Sequence, residues 1–158
     1  MMIDGNRRWA KQVGYASAAD GHRAGAAKMR EFLRWCDDLG VGVVTLYLLS
    51  TDNLSKRDSR ELSDLIEIIA ELADELSRER DWRVRHVGRT ELLPPGLADV
   101  LTDVAARTKG NDGMHVNLAV GYGGRSEIVD AVRSIIAKHD EDGGSLEELA
   151  ASLTPEQI

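Results

Sequence analysis

The sequence predicts an α/β fold with a mostly parallel central sheet and helices on both of its faces. Strand-like segments alternate along the chain with segments in which apolar residues recur every three or four positions, as in amphipathic helices. In addition, the run Val43–Leu49 is continuously apolar, which is typical of a parallel strand that is buried on both faces.

The composition indicates one globular domain covering 1–158. Of its 158 residues, 42% are hydrophobic, enough to bury a core. The net charge of −7 argues against a nucleic-acid partner, because such proteins need a basic face. The single cysteine, Cys36, cannot form an internal disulfide and suits a reducing compartment. No apolar run is long enough for a membrane span and no signal-peptide pattern is present, so we expect a cytoplasmic protein.

The first part of the chain is predicted to contain two helices separated by a loop. Met1-Met2-Ile3 is strand-like but short, Arg8–Gln12 favours a helix, and Gly14–Gly21 is predicted to be a loop. The second helix starts at His22 and can end at Gly40. Its apolar face consists of Met29, Phe32, Leu33, Cys36 and Leu39.

The buried strand is followed by a polar cluster and a third helix. Ser50-Thr51-Asp52-Asn53 stands at the carboxyl end of the strand, the edge at which open α/β sheets bind ligands. Asp58 or Ser59 can cap the next helix, with Glu61 completing a capping box. The apolar seam of this helix is Leu62, Leu65, Ile69, Leu72 and Leu76.

Strand-like and helix-like segments also alternate in the second half of the chain. A strand at Trp82–Val87 precedes a helix that starts at Pro94-Pro95, and a strand at Met114–Val120 precedes another helix. The apolar faces of the two helices are Leu97, Val100, Leu101 and Val104, then Ile128, Val129, Val132, Ile135 and Ile136. Ser145 and Glu148 form a capping box for a short further helix.

The chain is expected to be truncated at both ends. Its first residues resemble the end of a strand, and Thr154-Pro155-Glu156-Gln157 has the pattern of a helix start with no helix after it. We therefore expect a domain that is incomplete at the C-terminus.

The candidate chemistry is concentrated in Asp4-Gly5-Asn6-Arg7-Arg8-Trp9. A diphosphate is bound well by backbone N–H groups at a helix start, by arginines that grip two oxygens at once, and by a carboxylate that holds Mg²⁺. This stretch has all three features, and Lys11 adds a cation. The alternative interpretation is an ordinary charged helix start.

Four segments resemble the successive signature blocks of the cis-prenyltransferase, or undecaprenyl diphosphate synthase, family. They are Asp4 to Lys11, Gly21-His22-Arg23-Ala24-Gly25, Leu46 to Asn53, and Asn117 with Tyr122-Gly123-Gly124-Arg125. Within that family the chain looks most like the actinobacterial short-chain Z-isoprenyl diphosphate synthases.

The resemblance implies a Mg²⁺-dependent transferase in isoprenoid biosynthesis. Such an enzyme condenses isopentenyl diphosphate with an allylic diphosphate, creates a Z double bond and releases diphosphate. A short product such as (2Z,6E)-farnesyl diphosphate is expected. The resemblance further implies a homodimer without a nucleic-acid partner, and peripheral membrane contact through the lipid product.

The resemblance also assigns site residues. It implies catalytic roles for Asp4, His22 and Asn53, with Asp4 as the metal ligand. The substrate-binding residues that it implies are Gly5, Asn6, Arg7, Arg8, Trp9, Ser50, Thr51, Arg57 and Arg125. Leu48 stands where long-chain members tend to have a small residue, so its bulk is expected to limit product length; the alternative is a plain core residue.

Other classes are disfavoured or remain as alternatives. The histidines lack zinc-ligand spacing, no P-loop motif occurs, and Asp37-Asp38 lacks the third aspartate of trans-prenyl synthases. The family's C-terminal block Arg-x-Ser/Gly-Gly-Glu is absent. A truncated, non-catalytic diphosphate-binding subunit therefore remains as an alternative. A long-chain polyprenyl diphosphate synthase is the other alternative, because product length stays open.

Overall fold

The computed structural model describes residues 1, 4–56, 58–152 and 154, and the chain divides into two compact units, Met1–Tyr122 and Gly123–Ile158. In chain order the elements are α1 (Asn6–Gln12), α2 (Ala18–Asp38), β1 (Val43–Ser50), α3 (Thr51–Lys56), α4 (Ser59–Leu76), β2 (Arg83–Val87), a 3-10 turn (Thr90–Leu92), α5 (Pro95–Arg107), β3 (His115–Tyr122), α6 (Gly124–Glu141) and α7 (Leu146–Ser152). The prediction of a single domain over 1–158 stays a prediction.

The first unit is built on a parallel sheet with the strand order β1-β3-β2. Met1 lies beside β1, because its amino group donates to Thr45 O while its carbonyl accepts from Tyr47 N–H at 2.8 Å. This pair of hydrogen bonds is the pattern of a parallel neighbour. The predicted α/β class with a parallel sheet is confirmed.

The hydrophobic core lies on one face of this sheet. Val44 of β1 and Val84 of β2 both pair in register with Val116 of β3, so the three side chains point to the same side. They pack with residues of three helices. The helix residues of this core are Met29 and Leu33 of α2, Leu65, Ile69, Leu72, Ala73 and Leu76 of α4, and Leu97, Leu101 and Val104 of α5. The predicted helix seams are confirmed there except for Leu39, which follows the last residue of α2 and is 82% exposed. Helices on the second face stay a prediction.

The start of α2 differs from the sequence prediction. The helix begins at Ala18, whereas a loop was predicted up to Gly21. The reason is a capping box: Ser17 Oγ accepts from Asp20 N–H, and Asp20 Oδ2 accepts from Ser17 N–H, each at 3.3 Å. This cap offsets the poor helix propensity of the glycines that follow it.

Two of those glycines allow α1 to pack directly on α2. A Cβ atom at Gly21 would lie 2.4 Å from the backbone oxygen of Asn6 and 2.8 Å from Ala10 Cβ. At Gly25 a Cβ would lie 2.9 Å from the side-chain amide atoms of Asn6. Larger residues here would push α1 away, so these glycines set the distance between the two helices.

Ion pairs at the far end of α2 connect it to the segment that follows α4. Arg34 pairs with Glu79, and Arg80 lies 2.8 Å from both Asp37 and Asp38. The Arg34 guanidinium holds the pKa of the Glu79 carboxyl below its usual range. These side chains are partly exposed, so each pair contributes little to stability.

The second unit contains α6 and α7. The predicted capping box is confirmed, since Ser145 N–H donates to Glu148 at 2.8 Å and Glu148 N–H donates to Ser145 Oγ at 3.2 Å. On α6, Ile128, Val129 and Ile136 are 43–53% exposed. Within the described part of the chain, no helix has the length and apolarity needed to cross a bilayer.

Gly21→Ala should destabilise the protein, because the new methyl group meets backbone that cannot move cheaply. We expect the free energy of unfolding to fall by about 1–3 kcal/mol in urea denaturation. Gly96→Ala is the matched control: it also lies in a helix, α5, and has nothing within 4 Å of a new Cβ. It should raise stability by up to about 1 kcal/mol. Equal stability of the two variants would contradict the packing argument.

Candidate active site

The site starts at a tight turn that leads into α1. Gly5 has φ 88° and ψ 0°, a left-handed conformation that favours glycine, and its carbonyl accepts from Trp9 N–H at 2.9 Å. Asp4 Oδ1 accepts from Gly5 N–H at 2.6 Å. The turn therefore orients the Asp4 carboxylate at the beginning of the helix.

A cavity of about 480 Å³ opens at this turn. Its lining residues are Asp4, Gly5, Asn6, Arg7, Arg8, Lys11 and His22. Three cationic side chains thus face one carboxylate, although the whole chain carries a net charge of −7. Arginine side chains suit oxyanions with several oxygens, so this cavity can bind a diphosphate-like group.

A second, apolar cavity of about 70 Å³ adjoins the first, and the two share Asn6 and His22. It lies between α2, β1 and α4. Its remaining lining residues are Ala26, Met29, Tyr47, Leu48, Leu65, Ile68, Ile69 and Leu72. The structure therefore places a polar, cationic cavity directly beside one whose lining residues are mostly apolar.

His22 stands at the boundary of the two cavities and faces an acid from a third helix. Its Nε2 lies 3.6 Å from Glu61 Oε1, and Arg7 NH1 lies 3.6 Å from Glu61 Oε2. The His22 side chain is 10% exposed and that of Glu61 is 22% exposed. One carboxylate in the first turn of α4 thus faces residues of both α1 and α2.

The polar cluster after β1 lies at the carboxyl end of the sheet, as expected. Ser50 is the last residue of β1, and Thr51 begins α3 immediately. Ser50 Oγ accepts from Asn53 N–H at 3.1 Å, and all three residues are half-buried. They are not among the described residues that line the two cavities.

Trp9 is placed away from the cationic cavity. Its ring contacts that of Tyr15, with centroids 5.6 Å apart, and the residue is 43% exposed. It borders a separate cavity together with Asn6, Gly25 and Lys28. A direct substrate contact through Trp9 stays a prediction.

Two further predicted substrate-binding residues are not tested. Arg57 lies outside the described residues. Arg125 is exposed in the first turn of α6, in the second unit. Their predicted substrate contacts stay predictions.

Asp4 is the one carboxylate among the described residues that line the cationic cavity. No group of three or more acids, histidines or cysteines that could hold a metal ion occurs in the described part of the chain. Mg²⁺ nevertheless often needs one or two carboxylates only, with substrate phosphates and water as its other ligands. The single carboxylate of Asp4 therefore fits a Mg²⁺ ion whose other ligands would come from substrate and water.

Glu61 and Tyr47 reach the site although the sequence did not single them out for it. The predicted cap at Asp58 is confirmed, since its Oδ1 accepts from Arg60 N–H at 2.9 Å, and the part of Glu61 in a capping box stays a prediction. The position of Glu61 shortly after the polar end of β1 was the signal that could have identified it.

Comparison with known families and sequences agrees with this geometry. The family model Prenyltransf, described as putative undecaprenyl diphosphate synthase, matches residues 2–157. Isoprenyl transferase 1 of Corynebacterium glutamicum is 49% identical over 158 residues, covering 99% of this chain and 70% of that protein. The short-chain Z-isoprenyl diphosphate synthase of Mycobacterium leprae is 47% identical over 159 residues, covering 100% of this chain and 60% of that protein.

A solved structure is similar as well. Lavandulyl diphosphate synthase from Lavandula x intermedia, in complex with dimethylallyl diphosphate, superimposes with a TM-score of 0.82 at 30% identity. The match covers 99% of this chain and 64% of the lavandulyl enzyme. The chain thus spans 60–70% of the length of these three proteins.

Proposed function

Because the chain belongs to the undecaprenyl diphosphate synthase family, we propose that the protein elongates an allylic diphosphate with isopentenyl diphosphate. The bond between C1 and oxygen of the allylic diphosphate breaks, and its electron pair leaves with diphosphate. The double bond of isopentenyl diphosphate attacks C1, and loss of a proton creates the new Z double bond.

One observation carries this proposal: the cationic cavity and the apolar cavity meet at Asn6 and His22. A prenyl diphosphate has a polyanionic head and a hydrocarbon tail, so it matches both cavities at once. The similar lavandulyl diphosphate synthase binds dimethylallyl diphosphate, an allylic diphosphate of this kind. The reacting C1 of a substrate bound in this way would lie near the boundary between the cavities.

Arg7, Arg8 and Lys11 are proposed to stabilise the departing diphosphate. Negative charge develops on the leaving group as the bond to C1 breaks, and donors that are already in place for this charge lower the barrier. A single donor of this type contributes roughly 2–4 kcal/mol. His22, at the cavity boundary, is proposed to contact the reacting atoms.

Asp4 is proposed to hold Mg²⁺. The hydrogen bond from Gly5 N–H commits one carboxylate oxygen and fixes the orientation of the group. A bound Mg²⁺ would neutralise charge on the diphosphate. Ser50, Thr51 and Asn53 are proposed to serve the second substrate, and their common position at the carboxyl end of β1 supports this role.

A short product is favoured over a long-chain polyprenyl diphosphate. The apolar cavity has only about 70 Å³, so a hydrocarbon tail can extend into it only as far as its wall yields. Leu48, half-buried, forms part of its wall. Homodimerisation, a cytoplasmic location and membrane contact through the lipid product remain predictions.

The full-length protein should make a labelled prenyl diphosphate from labelled isopentenyl diphosphate, Mg²⁺ and an allylic primer of C10 to C20. Asp4→Asn should lower kcat by at least about 100-fold, because the carboxylate that is proposed to hold Mg²⁺ at the diphosphate is lost. Asp112→Asn is the control, since Asp112 is exposed before β3, at the opposite edge of the sheet. Absence of any labelled product with the wild-type protein would overturn the proposed activity in favour of a non-catalytic diphosphate-binding subunit.

Arg8→Gln should weaken the binding of inorganic diphosphate about 10- to 100-fold in isothermal titration calorimetry, since a charge-assisted contact is lost. Arg78→Gln should leave the affinity unchanged, because Arg78 pairs with Asp74 at the end of α4 and does not line the cavity. Equal affinities of all three proteins would show that the cationic cavity is not the diphosphate site.

Leu48→Ala should lengthen the product, because it removes bulk from the wall of the apolar cavity. Leu62→Ala is the matched control: Leu62 is also a partly buried leucine packed on the core but does not line this cavity. Chain length would be read by thin-layer radiochromatography. An unchanged product distribution in the Leu48 variant would contradict the proposed gate.

A further inference from the structure

We propose that Glu61 is a positioning residue of this site, and that its carboxylate holds the His22 ring at the boundary between the cationic and apolar cavities. The inference rests on the proposed function, since it assigns a task to Glu61 in the same reaction. It concerns how the site is assembled from three helices.

His22 is the more buried of the two partners that the described part of the chain gives Glu61. Both Arg7 and His22 lie 3.6 Å from a Glu61 oxygen, but Arg7 is 63% exposed whereas His22 is only 10% exposed. Water screens the exposed Arg7–Glu61 pair more strongly than the mostly buried His22–Glu61 pair. The contact with His22 is therefore the stronger constraint. A distance of 3.6 Å is longer than a direct hydrogen bond, and contacts of this kind in active sites often tighten when substrate binds.

The start of α4 has a side-chain cap on a residue other than Glu61. Asp58 caps the helix through Arg60 N–H. The Glu61 carboxylate faces α1 and α2, where it lies near Arg7 and His22, two of the residues that line the cationic cavity. Its position therefore connects α4 to the site.

A carboxylate in this place has two opposite effects. Its negative charge lies beside a cavity for anions, so it disfavours binding of a diphosphate in the ground state. Its contact with His22 Nε2 orients the ring and determines which ring nitrogen carries the proton. Replacing Glu61 by a neutral residue should remove the repulsion of the diphosphate and also the orientation of His22, so binding and turnover should change in opposite directions. A general loss of structure would weaken both.

The test is Glu61→Gln in the full-length protein. We expect kcat to fall about 10- to 100-fold, because the His22 ring is no longer held in place. KM for the allylic diphosphate should stay equal or fall, and the affinity for inorganic diphosphate should stay equal or rise. Glu67→Gln is the matched control: Glu67 also joins α4 to α2, through Arg23 at 3.7 Å, but both side chains are about half exposed or more and neither lines a described cavity near the site. It should retain wild-type kinetics and Tm.

A second measurement separates positioning through His22 from a general structural role. When His22 is already replaced by alanine, adding Glu61→Gln should lower kcat by less than about threefold, because Glu61 acts through His22. An unchanged kcat of Glu61→Gln, an undiminished effect in the His22→Ala background, or a loss of diphosphate affinity together with a lower Tm would overturn the proposal.

The histidine ring signals in nuclear magnetic resonance give a readout that does not require activity. Glu61→Gln should change the ring-nitrogen signals of His22, whereas Glu67→Gln should not. If the wild-type protein makes no product but these signals respond, the proposed reaction fails and the positioning by Glu61 stands. Unchanged His22 signals would refute the positioning even in an active enzyme.

Discussion

The close contact between α1 and α2 is the constraint on which the candidate site depends. α1 has only seven residues, too few to be stable as an isolated helix, so its position is set by packing. Gly21 and Gly25 admit the backbone and side chain of Asn6 at distances that any larger residue would block. Because Asn6 borders both cavities, this contact places the cationic cavity next to the apolar one.

The two cavities of the site depend on different interactions, positive charge in the first and hydrophobic packing in the second. The chain is acidic overall, and the positive charge at Arg7, Arg8 and Lys11 is local to the first turns of the chain. The apolar cavity instead belongs to the main core, since Met29, Leu65, Ile69 and Leu72 also pack against the sheet. A ligand with an anionic head and a hydrocarbon tail is the kind of molecule that uses both environments without leaving a buried charge unpaired.

The ion pairs between α2 and α4 illustrate how similar contacts differ in consequence. Arg30 with Glu75 and Arg23 with Glu67 span these helices on exposed surface, where such pairs add little. Glu61 lies 3.6 Å from His22, close to the 3.7 Å that separates Arg23 from Glu67, but His22 is nearly buried at the boundary of two cavities. Burial and neighbourhood, rather than distance, distinguish a positioning contact from a surface pair.

The sequence by itself determined the parallel α/β class, the strands and the seams of α2, α4 and α5, because periodicity and apolar runs report burial directly. It also identified the family, since the segment from Asp4 to Trp9 and the later blocks are local in the chain, and the comparison over 2–157 confirms this assignment. It missed the start of α2, where the glycines suggested a loop although the Ser17–Asp20 cap and the packing of α1 stabilise a helix.

Only the tertiary structure decided which side chains meet. It directed Glu61 towards His22 and Arg7, turned Trp9 towards Tyr15, and gave Leu48 a place in a cavity wall. The Glu61 and Leu48 contacts join residues that are far apart in sequence, and they depend on how the helices pack. Local patterns carry no such information, because the same residues would satisfy the same helix and strand periodicities in other arrangements.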